Sequence, residues 1–259
     1  FTFVALLKSC AKLKDMTKGC EIHAHISKLG WLKTNLFVWN SVVDMYAKCG
    51  SVSRARELFE KLHVRDVVSW NALIAGYVQH EHGEEALNCF DQMQLDGVFP
   101  NAVTFVCSLK ACASIRDINK GRELHEEISQ RGFLDQDLTL GNVIVDLYVK
   151  CGLLERAQAV FDELPHWDVV SWTSLIAGYA FQGMSEIVFY LFQKMGEKGI
   201  CPDAIALQSI LTVCNHSGLV DKGYTYFEAI SREYGETPTL SHHNAMVDAL
   251  ARAGQLEEV

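Results

Sequence analysis

The apolar residues of this chain recur with the period of a helix, in paired stripes separated by short polar turns. Trp70, Leu73, Ile74 and Tyr77 fall at i, i+3, i+4 and i+7, which is one face of a helix. A turn around Glu81–Gly83 follows, and Ala86, Phe90 and Met93 make a second stripe. Both stripes return at Val42, Val43 and Tyr46 with Ala55, Phe59 and Leu62. They return again at Leu175, Ile176 and Tyr179 with Val188, Phe192 and Met195. No strand-like alternation competes with them. A lone helical hairpin cannot bury both of its stripes, so hairpins must stack on one another. That predicts an all-α fold, a solenoid of helix-turn-helix repeats with a concave surface.

The repeat itself can be read residue by residue at a spacing of 102. DMYAKCG at Asp44–Gly50 matches DLYVKCG at Asp146–Gly152, VVSW at Val67–Trp70 recurs at Val169–Trp172, and LIAGY at Leu73–Tyr77 recurs at Leu175–Tyr179. Leu109, Cys112 and Gly121 match Leu211, Cys214 and Gly223 downstream and Leu7, Cys10 and Gly19 upstream, with no gap. A third copy has begun by Asn244, Asp248 and Gly254. Each unit divides further, and Pro100, Pro165, Pro202 and Pro238 lie near the ends of sub-repeats. The sub-repeats are residues 1–35, 36–66, 67–101, 102–137, 138–168, 169–203, 204–239 and the partial 240–259. The lengths of the complete ones from residue 36 onward alternate as 31, 35 and 36 residues.

Composition narrows this picture. With 49% apolar and 21% charged residues the chain is of the folded, globular kind. No apolar run approaches a membrane helix. The net charge of −9 argues against indiscriminate nucleic-acid binding, which relies on Lys and Arg at phosphates. It leaves open recognition through base edges and stacking. Nine cysteines without a C-x-x-C pair suggest free thiols in a reducing compartment. The chain opens at Phe1 in amphipathic sequence without a basic leader and stops at Leu256-Glu257-Glu258-Val259 within helical sequence. The expectation is a piece of a longer protein.

The motifs also carry a family resemblance. VVSWNALIAGYVQHEHGEEALNCFDQMQLDGVFPN resembles a P-type pentatricopeptide repeat, NSVVDMYAKCGSVSRARELFEKLHVRD the short S type, and VTFVCSLKACASIRDINKGRELHEEISQRGF the long L type. The order L-S-P-L-S-P-L-S resembles the PLS subclass of land plants. A tetratricopeptide array would instead keep a constant period of about 34 residues. The resemblance implies a right-handed α-solenoid that binds single-stranded RNA in a mitochondrion or chloroplast (plastid), one base per repeat. It further implies a targeting array for C-to-U RNA editing, a form of RNA modification, with editing-complex proteins as further partners. No enzymatic activity, cofactor, metal, membrane or small-molecule substrate is expected of this chain.

By the same resemblance, the fifth and last residues of each motif read the base. The pairs are Asn40 with Asp66, Asn71 with Asn101, Asn142 with Asp168, and Thr173 with Asp203. The family's code assigns U to Asn with Asp, C and then U to Asn with Asn, and G to Thr with Asp. The second residues, which sandwich the base, are Phe37, Val68, Thr139 and Val170; Thr139 departs from the preferred apolar type. The long motifs hold Val4/Asn35, Val106/Asp137 and Gln208/Thr239, to which no base is assigned. Asn244 implies a pyrimidine. From 5′ to 3′ the implied site is an unassigned step, U, C or U, an unassigned step, U, G, an unassigned step and a pyrimidine. Read from the residues alone, Asn71 is turned about 100° off the core stripe towards the helix flank, where an amide can offer a donor and an acceptor. The recurrent aspartates at repeat ends suit a second role as helix N-caps.

Several patterns resemble chemistry without its essential parts. Residues 178–185 approach a phosphate-binding loop, but Met184 stands in place of the lysine. His125-Glu126-Glu127 matches half of a zinc deaminase signature, and the P-C-x-x-C is missing. Cys10, Cys112 and Cys214 share one phase, as do Cys49 and Cys151, which fits small buried packing residues in separate layers. His242-His243 reads as a solvated turn pair. The alternative to RNA binding is a protein-binding solenoid scaffold, which the acidic balance supports.

Overall fold

The computed structural model describes residues 2–31, 35–134, 137–235 and 237–252. Its backbone forms two compact units. The first holds four helical hairpins: α1 (Thr2–Leu13) with α2 (Met16–Lys28), α3 (Leu36–Lys48) with α4 (Val52–Glu60), α5 (Val67–Gln79) with α6 (Gly83–Leu95), and α7 (Ala102–Ile115) with α8 (Ile118–Gln130). The second holds α9 (Leu138–Lys150) with α10 (Leu154–Glu163), α11 (Val169–Phe181) with α12 (Ser185–Glu197), α13 (Ala204–His216) with α14 (Val220–Arg232), and then α15 (Leu240–Arg252). The described residues contain no strand, and no helix among them is long and apolar enough to cross a membrane. The partial last motif runs beyond them, so Gly254 and Leu256–Val259 lie outside the described residues.

Each unit is layered in the same way. Odd-numbered helices pack on one another: α1 on α3, α3 on α5 and α5 on α7 in the first unit, α9 on α11, α11 on α13 and α13 on α15 in the second. Within a unit, each even-numbered helix packs on its hairpin mate and, where an odd helix follows in the same unit, on that one too, as α4 does on α3 and α5. Two even helices do not pack together among the described residues. Each unit is therefore a stack of helix-turn-helix repeats in which the first helix of every hairpin belongs to one continuous layer.

Small residues set the spacing of that layer. A Cβ on Gly76 of α5 would lie 2.4 Å from Ala47 Cβ of α3 and 3.3 Å from its Cα, so glycine is required for the two backbones to approach. Gly178 occupies the same place in the second unit, against the methyl groups of Val149. The core between layers repeats as well. Phe59 meets Trp70 edge to face with ring centres 4.5 Å apart, and Phe161 meets Trp172 likewise at 4.9 Å. Trp70, Leu73, Ile74, Ala86, Phe90 and Met93 are all buried, as the helical stripes require.

Helix starts are set by side chains. Asn35, Asp66, Asn101, Asp137, Asp168 and Asp203 are the N-cap residues of α3, α5, α7, α9, α11 and α13, and each side chain accepts a backbone N–H of the first turn. These six are the last residues of their motifs. The turn inside each hairpin needs one left-handed residue. In the second unit Gly183 supplies it (φ 72°), but in the first the equivalent position is Glu81 (φ 63°), a strained choice for a side chain with a Cβ.

Candidate functional site

The odd-helix layer brings the fifth and last residues of a motif into direct contact. Asn40 Nδ2 donates to Asp66 Oδ1 at 3.1 Å, and Asn142 Nδ2 donates to both Asp168 oxygens at 3.1 and 3.3 Å. Asn71 Nδ2 donates to Asn101 Oδ1 at 3.1 Å, and Thr173 Oγ1 donates to Asp203 Oδ1 at 3.0 Å. The cap geometry explains why these atoms meet. The fifth residue lies one helical turn into an odd helix, and the next odd helix in the layer begins at the capping residue. Each pair therefore spans one step of the stack.

Capping also decides which atom of the last residue is left over. Asp66 Oδ1 accepts from Ser69 N (2.8 Å) as well as from Asn40, and Asp203 Oδ1 accepts from Ala206 N (2.9 Å) as well as from Thr173. Among the described residues, Oδ2 of both aspartates has no hydrogen-bond partner. Asn101 Oδ1 accepts from Thr104 N (3.0 Å), so its amide nitrogen is the atom left over. The same cap thus leaves an acceptor at an aspartate and a donor at an asparagine. At Asp168, burial pushes the carboxyl up, but hydrogen bonds from the Ser171 backbone and hydroxyl and from Asn142 outweigh it. The group is held below the usual carboxylate range.

The readers are less exposed than the flank position implied. Asn40, Asn142 and Thr173 are buried between neighbouring odd helices, and Asn71 is half-buried. Oδ1 of Asn40 and Oδ1 of Asn142 are buried without a partner. An aspartate can only accept, so the NH2 of each asparagine must face it, and this fixes the orientation of the amide. Asn71 faces another amide, whose Oδ1 the Thr104 N–H already fixes as the acceptor. There Thr104 Oγ1 donates to Asn71 Oδ1 at 2.7 Å and holds the amide in one orientation. Nothing in the motif pattern singled out Thr104, since its hydroxyl reads as an ordinary capping-box group.

The second residues behave differently from the readers. Phe37 is 77% exposed, and Val68 and Val170 are each about half exposed. Thr139 is exposed in the same place. Val103 and Ile205, in the second place of two long motifs, are exposed as well. The motif code does not single them out, because their motifs lack a hydrogen-bonding pair, but they share the phase of Phe37, Val68 and Val170. The long motifs bring no comparable pair together: Val4 and Val106 are half-buried, and Gln208 Nε2 turns to Thr212 Oγ1 (3.3 Å) on its own helix. Thr239 Oγ1 accepts from His242 N at 3.4 Å. Asn244 is exposed on α15.

Two expectations need correction. His242 is not a solvated turn residue: it is 1% exposed, its Nε2 faces the Ala204 carbonyl at 3.0 Å, and its Nδ1 accepts from Thr239 N. The first turn of α15 packs on the start of α13, which places the ring inside. Cys49 and Cys151 are not buried like Cys10, Cys112 and Cys214; they are half-exposed because they are the residues that end α3 and α9.

These motifs match the models of known repeats. The PPR repeat family matches residues 65–114 and 167–216, and the PPR repeat matches residues 37–67, 142–169 and 241–259. The chain belongs to the pentatricopeptide repeat family. It is 38% identical over 264 residues to the pentatricopeptide repeat-containing protein CRR2, chloroplastic, of Arabidopsis thaliana, covering 100% of this chain and 40% of that protein. It is 37% identical over 257 residues to a putative mitochondrial pentatricopeptide repeat-containing protein of the same plant, covering 99% of this chain and 41% of the relative. The chain thus spans about two-fifths of the length of these relatives. Among solved structures, it superposes on the pentatricopeptide repeat protein PPR10 in complex with an 18-nt psaJ RNA element. The TM-score is 0.78 at 17% identity, over 93% of this chain and 36% of that one. At that identity the likeness concerns the helical solenoid fold.

Proposed function

We propose that this pentatricopeptide repeat chain reads single-stranded RNA, one base per polar motif, and serves as the targeting array of an organellar C-to-U editing factor. The observation that carries the reading is the direct contact between the fifth and last residues at four steps. Each pair presents two hydrogen-bonding groups, and their character follows from what the cap and the pair have already used. With Asn40 and Asp66 the second amide hydrogen is a donor and the free carboxylate oxygen an acceptor. A carbonyl beside the N3–H of uracil complements them. At Asn142 and Asp168 both carboxylate oxygens already accept from Nδ2, and a further lone pair of Asp168 Oδ2 is the acceptor offered to the base. With Asn71 and Asn101 both outward groups are amide hydrogens, which suit the O2 and N3 acceptors of cytosine. With Thr173 and Asp203 the hydroxyl has already donated, so its lone pairs and the carboxylate both accept. That suits the N1–H and N2 amino group of guanine.

Further features support the reading. Phe37, Val68 and Val170 are exposed apolar groups beside the readers, suited to stacking on base faces. Lys48, Lys110 and Lys150 ride on the same odd helices, so cations lie in the layer despite the overall acidity. Lys48 and Lys150 are held by Asp44 and Asp146, 2.9 and 2.8 Å away, which tempers their attraction for phosphate. Weak, salt-sensitive binding follows. The chloroplastic and mitochondrial relatives support an organellar site of action.

The test is a titration against two RNAs of the implied order that differ only at the base opposite Thr173. The wild-type chain prefers G there. Thr173→Asn recreates the Asn–Asp pair and moves the preference to U by roughly ten-fold or more, since a well-made base contact is worth about 1–3 kcal/mol by analogy with DNA readout. Identical ranking of the two RNAs by both proteins would refute base reading at this step.

A further inference from the structure

The spacing of 102 residues sets each position of the second unit against one in the first, and the two units differ in the apolar residues along the turns that join the helices of a hairpin, where the first unit exposes Leu13 and Ile115. In the second unit Phe181, Met184, Ile187 and Leu219 are exposed there, Phe181 at 91%. The equivalent residues of the first unit are Gln79, His82, Glu85 and Asp117. The turns of the second unit lie side by side. Gln182 Nε2 donates to the Gly152 carbonyl at 3.4 Å, which joins the α9–α10 turn to the α11–α12 turn. Ser185 Oγ and Ser217 Oγ are 2.6 Å apart, which joins the latter to the α13–α14 turn.

One of these apolar residues, Leu219, stands where the first unit has a capping aspartate. Leu153, Met184 and Leu219 hold the N-cap positions of α10, α12 and α14, and none makes a side-chain cap. In the first unit Asp15 and Asp117 cap α2 and α8, while Ser51 and His82, the counterparts of Leu153 and Met184, make no side-chain cap. The core does not need the exchange, because Met184 and Leu219 are exposed. Beside this row runs a second one, of carboxylates. Glu155, Glu186 and Asp221, in the first turns of the same three helices, are exposed and form no ion pair among the described residues. The first unit has Ser53, Glu84 and Asn119 in their places.

We propose that the turn edge of the second unit is a docking surface for an amphipathic helix of a partner protein, its apolar stripe flanked by Lys and Arg. The apolar row supplies a seat for the stripe, and the carboxylate row selects the charge of its flanks. The same carboxylates repel phosphate, so RNA is a poor occupant. A second copy of this chain is equally poor, because a two-fold contact would set acidic row against acidic row. This surface does not rest on the RNA reading, and its residues are not among the proposed base readers.

The experiment is a displayed library of helical peptides, selected on the chain and counter-selected on a variant carrying Phe181→Gln, Met184→His, Ile187→Glu and Leu219→Asp. The chain already uses these four residues at the equivalent places of its first unit, so the variant keeps the fold, which a thermal melt checks. Selected peptides carry apolar residues at i, i+3 or i+4, and i+7 with basic flanks. Their affinity falls at least about ten-fold on the variant and also on Glu155→Lys with Asp221→Lys, while RNA affinity is unchanged. Four outcomes overturn the proposal. They are no enrichment over the counter-selection, acidic or neutral flanks in the selected peptides, dimerisation of the wild-type chain that the four substitutions abolish, and loss of RNA affinity in a variant that melts normally.

Discussion

Asn71 and Thr173 occupy the same place in the two units, 102 residues apart, and the structure solves their surroundings differently. Asn71 meets an asparagine, and a threonine at position 104 pins its amide. Thr173 meets an aspartate, and the residue equivalent to Thr104 is Ala206, which has no hydroxyl to offer. The difference has a simple cause. An amide facing an amide has two orientations of similar energy until a third group chooses between them. Here the Thr104 N–H fixes Asn101 Oδ1 as the acceptor, and the Thr104 hydroxyl adds a bond to Asn71 Oδ1. A hydroxyl facing a carboxylate has one way to donate and needs no further guide. Three residues, not two, therefore define the asparagine–asparagine step, and the third comes from the following motif.

The largest expected effect concerns the scaffold that sets both sites. Gly76→Ala brings a Cβ against the Cβ and backbone of Ala47, which cannot rotate away. The loss should be about 3 kcal/mol by urea denaturation. Gly178→Ala meets the ends of the Val149 and Leu154 side chains, which can turn aside, and should cost only about 1 kcal/mol. Equal costs would mean that the two units pack their odd helices alike and that the comparison at this level is empty.

Asn101→Asp makes the first unit resemble the second. The cap is kept, because an aspartate oxygen accepts the Thr104 N–H as well as an amide oxygen does. The leftover group changes from donor to acceptor, so the preferred base should move from C to U by roughly ten-fold, worth about 1–3 kcal/mol. Unaltered preference in a binding titration would show that the last residue only caps.

Thr104→Val should lower the preference for C over U at the Asn71 step by roughly five-fold, corresponding to about 1 kcal/mol for one hydrogen bond. Thr104→Ser should restore it, and discrimination at the other steps should not move. A general loss of affinity across all RNAs would instead mark Thr104 as a capping residue alone.

The smallest effect is at the turns. Glu81→Gly relieves a left-handed residue and should stabilise the first unit by roughly 0.5–1 kcal/mol, and Gly183→Glu should destabilise the second by a similar amount. A melt in which Glu81→Gly lowers stability would show that the Glu81 side chain contributes an interaction that outweighs the strain.

Much of this molecule is legible in the sequence because the repeat is one-dimensional. Each hairpin buries its stripes only against its neighbours, so a period of apolar residues is already a statement about packing. The 102-residue register then aligns Trp70 with Trp172 and Phe59 with Phe161 without further information. The phase of Asn40, Asn71 and Asn142 could be read the same way, as could the aspartates that end the motifs. Other properties depended on contacts between residues far apart in the chain. The sequence could not tell that Asn40 and Asn142 are buried, that Thr104 reaches back 33 residues to Asn71, or that His242 turns inward to the Ala204 carbonyl. Nor could it tell that Phe181, Met184 and Leu219 line one exposed edge, since apolar residues next to helical stripes read as core. Periodicity reports which face of a helix is apolar. Only the spacing of neighbouring backbones, set by residues such as Gly76 and Ala47, decides which polar atoms come within reach of each other and which apolar ones are left in water.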